Sequence, residues 1–288
     1  MANEPRAMLA KIIKTVRNKE IDPISPLIDD YLLRRDTAPL RLITYEVPLV
    51  QRKRPPGRLS PSGIGGCIRK SAFSFVGMPG KRQVNLDGEL IMEQGTWIHH
   101  KWQAIFKDME LVLGSDRFRV IEIEGEVRIP KYFIAGSFDI HIYIQGFGEI
   151  IVDIKSINET GFYGIVQDNK PKSGHTEQCL TYVVGKKVNI GAMFYEDKNN
   201  QQRKVIIVPR KKETWDNVTY WANKIILNVQ EEKLPAMHND CTPGSWMAGS
   251  CPFSHICYGN HSNTAIRKRM YRNFPGMREQ YNNSFKEL

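Results

Sequence analysis

Residues 136–156 read GSFDIHIYIQGFGEIIVDIKS, and this stretch predicts two β-strands joined by a glycine-containing turn. Apolar and polar residues alternate over residues 132–144, which is typical of a strand with one buried face. Its apolar members are Phe138, Ile140, Ile142 and Ile144, and its polar members include Asp139, His141 and Tyr143. Residues 149–154 are almost continuously apolar, as in a strand buried on both faces. Residues 145–148 supply the turn.

Folding this hairpin about its turn brings Asp139 close to opposite Asp153, where Cβ atoms lie about 5 Å apart. Lys155 follows Asp153 by two positions and therefore points to the same face. Two buried carboxylates repel each other unless something compensates their charge. Mg²⁺ would compensate, because it binds carboxylate oxygens together with water and phosphate. A plain Asp–Lys ion pair at the end of a sheet explains the same residues equally well.

The hairpin also resembles the PD-(D/E)XK nuclease superfamily, and further motifs occur in the order found in its RecB and Cas4 branch. The four matching motifs are residues 95–99 (GTWIH, for G-x-x-x-H), 136–139 (GSFD, for G-x-x-D), 153–155 (DIK, for (D/E)-x-K) and 178–182 (QCLTY, for Q-x-x-x-Y). The proline of the superfamily name is absent, because Ser137 and Phe138 precede Asp139. That departure is common in the branch.

The resemblance implies an α/β fold with a mixed central sheet flanked by helices, and it implies roles for the motif residues. Asp139 and Asp153 would be catalytic and would hold Mg²⁺ or Mn²⁺, with the Ile154 carbonyl and His99 as further ligands. Lys155 would position or activate the attacking water. Such a metal ion polarises the scissile phosphate and lowers the pKa of bound water.

Helical periodicity supports the placement of the other motif residues. Residues 89–112 predict a long helix that carries His99, with Ile91 on its apolar side. Residues 176–185 predict a short helix on which Gln178 and Tyr182 share a face, and the resemblance places both along the DNA path. A lone helical histidine is more often structural, and Gln178 and Tyr182 would also suit simple packing with a local hydrogen bond.

The segments next to these motifs also carry expectations. Residues 120–129 predict one continuous strand, on which Glu126 is a further acidic candidate or part of an exposed face. Residues 156–174 predict a polar loop beside the site, with Lys170 and Lys172 able to grip a substrate. Strands are expected over 188–195 and 205–209, and an amphipathic helix over 212–233.

Four cysteines form a second constellation. Three are clustered with nine and five intervening residues and one lies far upstream, namely Cys241, Cys251, Cys257 and Cys67. In an intracellular protein such cysteines favour metal binding over disulfides, and four thiolates suit Zn²⁺ or a [4Fe–4S] cluster. The pattern resembles the iron–sulfur cysteines of Cas4 and AddB, although the first gap is longer here. The implied cluster would link the beginning of the domain to its end through the cysteine ligands. His255 leaves a mixed Cys/His zinc site open, and Cys179 is expected to be buried.

Ser60 or Ser62 would cap a short helix carrying Cys67.

The whole chain has 288 residues, 41% of them apolar, and an excess of ten basic over acidic side chains. That excess favours a polyanionic partner. The order of these features along the sequence predicts three parts. An N-terminal helical segment and basic linker covers 1–58, with helix over 4–35; a nuclease domain covers 59–262; and a basic tail covers 263–288. Without a long apolar run or a signal-peptide core, we expect no membrane association and a cytoplasmic location in a bacterial or phage-infected cell.

The resemblance, with the basic excess beside it, implies a metal-dependent DNA exonuclease that acts on single- or double-stranded ends in repair, recombination, or phage or CRISPR DNA processing. No Walker phosphate loop occurs in the sequence, so a helicase or recombination protein would be a separate partner. Two alternatives are a non-catalytic iron–sulfur protein that binds DNA as a scaffold, and a structure-specific endonuclease.

Overall fold

The computed structural model describes residues 21–35, 56–81, 86–172, 174–259 and 261–272. The helices are α1 (Ser25–Arg34), α2 (Ile68–Phe75), α3 (Leu86–Leu113), α4 (Glu159–Asp168), α5 (His175–Gly185), α6 (Lys212–Gln230), α7 (Trp246–Gly249), α8 (Ser254–Cys257) and α9 (Asn263–Tyr271). The strands are β1 (Phe118–Ile123), β2 (Glu126–Ile129), β3 (Ile134–Ser137), β4 (Ile140–Ile144), β5 (Gly148–Ile157), β6 (Ile190–Asp197) and β7 (Arg203–Pro209). Short 3₁₀ turns cover Pro61–Gly63 and Pro130–Tyr132.

Five strands form a mixed central sheet in the order β1-β4-β5-β6-β7. Only β5 and β6 run parallel in this sheet, and α4 and α5 lie in the crossover between them, as a parallel connection requires. Strands β2 and β3 pair separately as a small antiparallel ribbon. The predicted α/β class, with a mixed sheet flanked by helices, is confirmed.

Helices cover both faces of the central sheet. Even-numbered residues of β5, such as Val152, pack in a core with α1 and α3. Odd-numbered residues such as Ile151 pack in a second core with α4 and α5. Asp153 and Lys155 therefore face the α5 side. A third core joins α2, α6 and α9 to the cysteine segment.

The predicted hairpin is present, and its register is as expected. Ile140 pairs with Val152 and Ile142 with Ile150, so Asp139 and Asp153 occupy the next facing positions. The turn contains Gly146 at φ +84°, in the left-handed region that glycine adopts without strain.

The strands predicted over residues 120–129 and 132–144 are each interrupted in the structure, so the prediction that they are continuous is wrong. Residues 132–144 form β3 and β4, which pair with different partners, because Phe138 bonds to the Gly125 carbonyl and packs its ring toward α5. Residues 120–129 break between β1 and β2, where Glu124 has φ +53°. A polar–apolar alternation continues unchanged across such breaks, so it does not reveal them.

The predicted loop over residues 156–174 is also wrong, because most of it is α4. The Asn158 side chain accepts a hydrogen bond from the Gly161 N–H at 3.1 Å and caps this helix. Phe162 and Ile165 bury its inner side. Only these two apolar anchors mark the helix, which is too few for a clear periodicity.

The other predicted helices and strands are present within a few residues of their expected bounds. On α3, Ile98, Trp102 and Met109 are buried, but Ile91 is 55% exposed, against expectation. Of the N-terminal segment predicted over 1–58, residues 1–20 and 36–55 lie outside the described part of the chain, and so do residues 273–288 of the predicted tail. The first residues of the predicted tail form α9, whose Ile266 and Met270 are buried. Within the described ranges, none of the helices combines the length and apolar character that a membrane span requires.

Gly191 on β6 allows α5 to approach the sheet closely. A Cβ atom at this position would lie 2.4 Å from Cys179 Sγ and 2.8 Å from Val183 Cγ2. We expect Gly191→Ala to reduce the free energy of unfolding by about 1–3 kcal/mol through overpacking. Gly164→Ala, in an open position on α4 with no atom within 4 Å, should instead stabilise by about 0.5–1 kcal/mol. Urea denaturation measures both, and equal effects would contradict the close approach.

Candidate active site

Asp139 lies directly before β4 and is held by two hydrogen-bonding groups. Its Oδ1 atom is 3.1 Å from His99 Nδ1, and its Oδ2 atom accepts the Ile154 N–H at 2.5 Å. Burial by itself would raise the pKa of Asp139, but His99, the Lys155 charge and the Ile154 N–H together lower it. Asp139 is therefore a buried carboxylate that remains ionised at neutral pH.

His99 reaches Asp139 because α3 packs closely on β5. Gly95 lies one helical turn before His99, and a Cβ atom there would stand 3.0 Å from Ser156 Oγ on β5. Burial tends to lower the pKa of His99, but the Asp139 carboxylate outweighs it and raises the pKa. The Gly-x-x-x-His spacing thus places the imidazole at the end of the hairpin.

Asp153 and Lys155 form an ion pair on the α5 side of β5. Asp153 is only 2% exposed, and its Oδ2 atom lies 2.6 Å from Lys155 Nζ, without the angle of a well-directed hydrogen bond. Burial raises the pKa of Asp153 to about 6 despite the attraction of Lys155. Burial opposes the charge of Lys155, but Asp153 and Asp139 raise its pKa. Lys155 thus attracts both buried carboxylates, while His99 and the Ile154 N–H add to the stabilisation of Asp139.

Gln178 and Tyr182 lie on the face of α5 that looks toward Asp153. Gln178 Nε2 donates to Tyr182 Oη at 3.1 Å and stands 3.5 Å from Asp153 Oδ1. Tyr182 also packs edge-on against Phe138, with ring centroids 6.3 Å apart. The structure brings both residues to the carboxylates, and the same contacts also hold α5 in place.

These side chains share one cavity of about 540 Å³, which we call the carboxylate cavity. Its lining includes His99, Asp139, Asp153, Lys155, Gln178 and Tyr182, together with Arg58, Ser60, Ser62, Glu124, Glu126 and residues 135–137. Ile154 is fully buried and reaches the site through its backbone. Every residue that the hairpin and motif arguments selected is therefore in or beside a single cavity.

Glu124 was missed by the sequence reasoning, which selected Glu126. Glu126 is half exposed and binds Arg128 at 2.8 Å, which lowers its pKa. Glu124 accepts a hydrogen bond from Gln103 at 2.5 Å, and its pKa is raised by burial and by the Asp139 charge. The signal in the sequence was Gly125 after Glu124, which indicates a reversal of the chain.

The donor set of the carboxylate cavity suits a hard divalent cation, because it consists of buried carboxylate oxygens. In the ranges that the structure describes, no three His, Cys, Asp or Glu side chains are arranged to hold a metal ion by themselves. Asp139 is turned toward His99, and Asp153 toward Lys155. A cation here would complete its coordination with backbone, water or substrate oxygens.

The four candidate cysteine ligands, Cys67, Cys241, Cys251 and Cys257, line a second cavity of about 540 Å³, the cysteine cavity. Burial raises the pKa of the Cys251 and Cys257 thiols, and the neighbouring Cys67 adds to both shifts. Neither His255 nor Cys179 lines this cavity, and Cys179 is buried on the side of α5 that packs on the sheet, as expected. Thus cysteines far apart in the sequence come to one place.

The expected capping of the Cys67 helix is wrong. Helix α2 begins at Ile68 with Cys67 as its N-cap, and no side chain caps it. Ser60 and Ser62 lie in the preceding 3₁₀ turn, with their hydroxyl oxygens 2.8 Å apart. The glycines after Ser62 separate these serines from the helix.

Comparisons with known proteins give weak similarity to two exonuclease structures. No protein-family model matches the chain, and no curated protein matches it. An alkaline exonuclease from Laribacter hongkongensis is 14% identical, with a TM-score of 0.44 over 61% of this chain and 89% of that one. A phage-related exonuclease from Haemophilus somnus is 14% identical, with a TM-score of 0.42 over 57% of this chain and 81% of that one. Similarity at this level does not assign a function, so a function has to be inferred from the chemistry of the site.

Proposed function

We propose that the protein is a metal-dependent nuclease that hydrolyses the phosphodiester bonds of DNA as an exonuclease. The observation that carries the proposal is the placement of Asp139, Asp153 and Lys155 on one face, in a single cavity at the end of the hairpin. Two carboxylates and an ammonium group form a site that favours both a divalent cation and a phosphate. The ordered resemblance to the PD-(D/E)XK motifs supports the same reaction.

In this proposal Asp139 and Asp153 would hold Mg²⁺ or Mn²⁺, and the Ile154 carbonyl and His99, which now contacts Asp139, would be further ligands. The bound cation would polarise the scissile phosphate and lower the pKa of a water molecule. Lys155 orients the attacking water and offsets the charge that develops on the phosphate oxygens. Its ion pair with Asp153 keeps the ammonium group charged and in place.

DNA is the substrate that best fits the rest of the chain. An excess of ten basic side chains attracts a polyanion, and Arg58 stands at the carboxylate cavity. In this proposal Gln178 and Tyr182, which lie on α5, contact the bound DNA strand along its path. The motif resemblance to the RecB and Cas4 branch supports an exonuclease, with any helicase or recombination protein as a separate partner.

Digestion of DNA labelled at either end tests the exonuclease assignment. Linear single- and double-stranded DNA should lose terminal nucleotides in the presence of Mg²⁺ or Mn²⁺, while covalently closed circular DNA remains intact. Cleavage of the closed circle at a comparable rate would identify an endonuclease instead.

The cysteine cavity is proposed to hold a [4Fe–4S] cluster, with Zn²⁺ as the alternative. Four thiols line the cavity, which is the ligand number of either cofactor. Since no three of them in the described part of the chain are arranged to hold a metal ion as they stand, they would have to close around it. The resemblance to the cysteine pattern of Cas4 and AddB favours iron. Such a group would link the segment before α2 to the segment around α8.

Glu124 and Glu126 provide a matched pair of variants. We expect Glu124→Gln to lower kcat/KM by about tenfold, because Glu124 is partly buried beside Asp139. Glu126→Gln should change it by less than about twofold, because Glu126 is half exposed and paired with Arg128. Steady-state cleavage of labelled DNA measures both. A larger loss for Glu126→Gln would restore the assignment made from the sequence.

A further inference from the structure

The cysteine cavity opens beside the carboxylate cavity and differs from it in charge. The two cavities share three lining residues, Ser62, Lys155 and Gln178. The carboxylate cavity is lined by four acidic side chains, Glu124, Glu126, Asp139 and Asp153. Among the described residues of the cysteine cavity there is no Asp or Glu, whereas Lys70, Lys155 and His175 line it. The part of the cysteine cavity next to Lys155 therefore presents a cation and a polar imidazole to an anion, and no carboxylate.

His175 is a polar group on this side that is held by a ring contact and a hydrogen bond. It is the first residue of α5 and follows Gly174. Its ring stacks on the Tyr195 ring, with centroids 5.8 Å apart at 25°. Its Nδ1 atom lies 2.9 Å from Tyr195 Oη.

The hydrogen bonds around Tyr195 define which nitrogen of His175 carries the proton. The Lys172 N–H donates to Tyr195 Oη at 3.3 Å, so this oxygen already accepts one bond. Burial raises the pKa of the fully buried Tyr195 phenol, which keeps its single proton. Among the described residues, only His175 Nδ1 accepts that proton. The imidazole proton is then on Nε2.

His175 is neutral in this arrangement. Burial lowers its pKa to about 4, and the charges of Lys155 and Lys172 add to the effect. A neutral imidazole protonated on Nε2 is a hydrogen-bond donor at all pH values at which a nuclease would work. Because it carries no charge, it does not compete with Lys155 for the ion pair with Asp153.

We propose that His175 donates its Nε2–H to a phosphate oxygen of the bound DNA strand, at the phosphate adjacent to the one at Lys155. Tyr195 is the positioning residue that holds His175 in the donor tautomer. The proposal rests on the proposed nuclease function, and it adds a strand-binding subsite on the cysteine side of the site. It concerns the part of the cavity that Lys155, His175 and Gln178 line.

Steady-state cleavage of a labelled single-stranded oligonucleotide tests the subsite through the separation of KM from kcat. His175→Ala should raise KM by about tenfold with kcat within about twofold, because one hydrogen bond to a charged phosphate is lost. His175→Gln retains a donor near the Nε2 position and should recover most of the affinity. Tyr195→Phe removes the hydroxyl that donates to His175 Nδ1, so the imidazole proton is no longer held on Nε2. We expect this variant to raise KM by about threefold. His238→Ala, outside the cavity, is the control and should match wild type.

Direct binding separates a failure of the subsite from a failure of the nuclease assignment. A fluorescent oligonucleotide is titrated against wild type, His175→Ala and His175→Gln in the presence of Ca²⁺. If wild type binds the oligonucleotide but cleaves no DNA, the nuclease proposal fails, and weaker binding by His175→Ala still supports the subsite. Unchanged binding and KM for His175→Ala would overturn the subsite. Equal losses for the Gln and Ala variants would show that the donor is not what matters.

Discussion

Asp153→Asn is expected to lower the single-turnover rate of DNA cleavage by about 10³-fold while the protein remains folded. The amide keeps the shape of the side chain but loses the charge that would hold a divalent cation, and metal-assisted hydrolysis depends on that cation. Lys155→Met should lower the rate by about 10²–10³-fold, because it removes the ammonium group that offsets charge in the transition state. Circular dichroism and thermal unfolding verify that the fold is intact.

Glu149→Gln is the matched control for Asp153→Asn. Glu149 lies on the same strand and the same face as Asp153, but at the other end of the hairpin, where it is half exposed and pairs with His141 at 3.1 Å. Its neutralisation should leave the cleavage rate unchanged. A near wild-type rate for Asp153→Asn would refute the assignment of the carboxylate cavity as the active site.

Replacing one of the four lining cysteines by serine is expected to remove the bound metal and several kcal/mol of stability. Cys67 and Cys257 are separated by most of the domain, and the entropy of closing so long a loop grows only slowly with its length. Because the unfolded chain has no preformed site, the free energy of metal binding contributes to folding. Protein purified without oxygen should be brown and contain about four irons per chain. Cys67→Ser should lose colour, iron and solubility together.

Cys179→Ala is the control for the cysteine variants, because this buried thiol is on the inner side of α5 and outside the cysteine cavity. It should keep its metal and colour. Colourless wild-type protein with one zinc per chain would reject the iron–sulfur cluster but retain the link between the two segments. Full metal content and stability in Cys67→Ser would contradict that link.

The parts of the fold set by local periodicity could be predicted from the sequence. The apolar spacing of α3 and α6 and the run at β5 identify these elements, because each buries a continuous stripe or strand. The break at Phe138 could not be predicted, since it depends on which partner each strand finds in the folded protein. The break at Glu124 had one local signal, Gly125, which the alternation of the surrounding residues concealed. Helix α4 was missed because its two buried apolar residues are too few to show a helical periodicity.

The site could be predicted to the extent that neighbouring residues define it. The register of one hairpin places Asp139 opposite Asp153, and Lys155 follows on the same face. His99 and Gln178 come from helices far away in the sequence, and only the motif resemblance selected them. The contact between His175 and Tyr195 joins a helix start to a buried strand, and no local pattern in the sequence indicates it.

Cleavage of linear DNA with and without a divalent cation tests the central claim most directly. Wild-type protein should degrade end-labelled linear DNA in Mg²⁺ or Mn²⁺, should stop when EDTA is added, and should recover when the cation is restored in excess. Asp153→Asn should remain inactive under all three conditions. Cleavage by wild type that persists in EDTA, or no cleavage with either cation, would contradict the proposal of a metal-dependent nuclease.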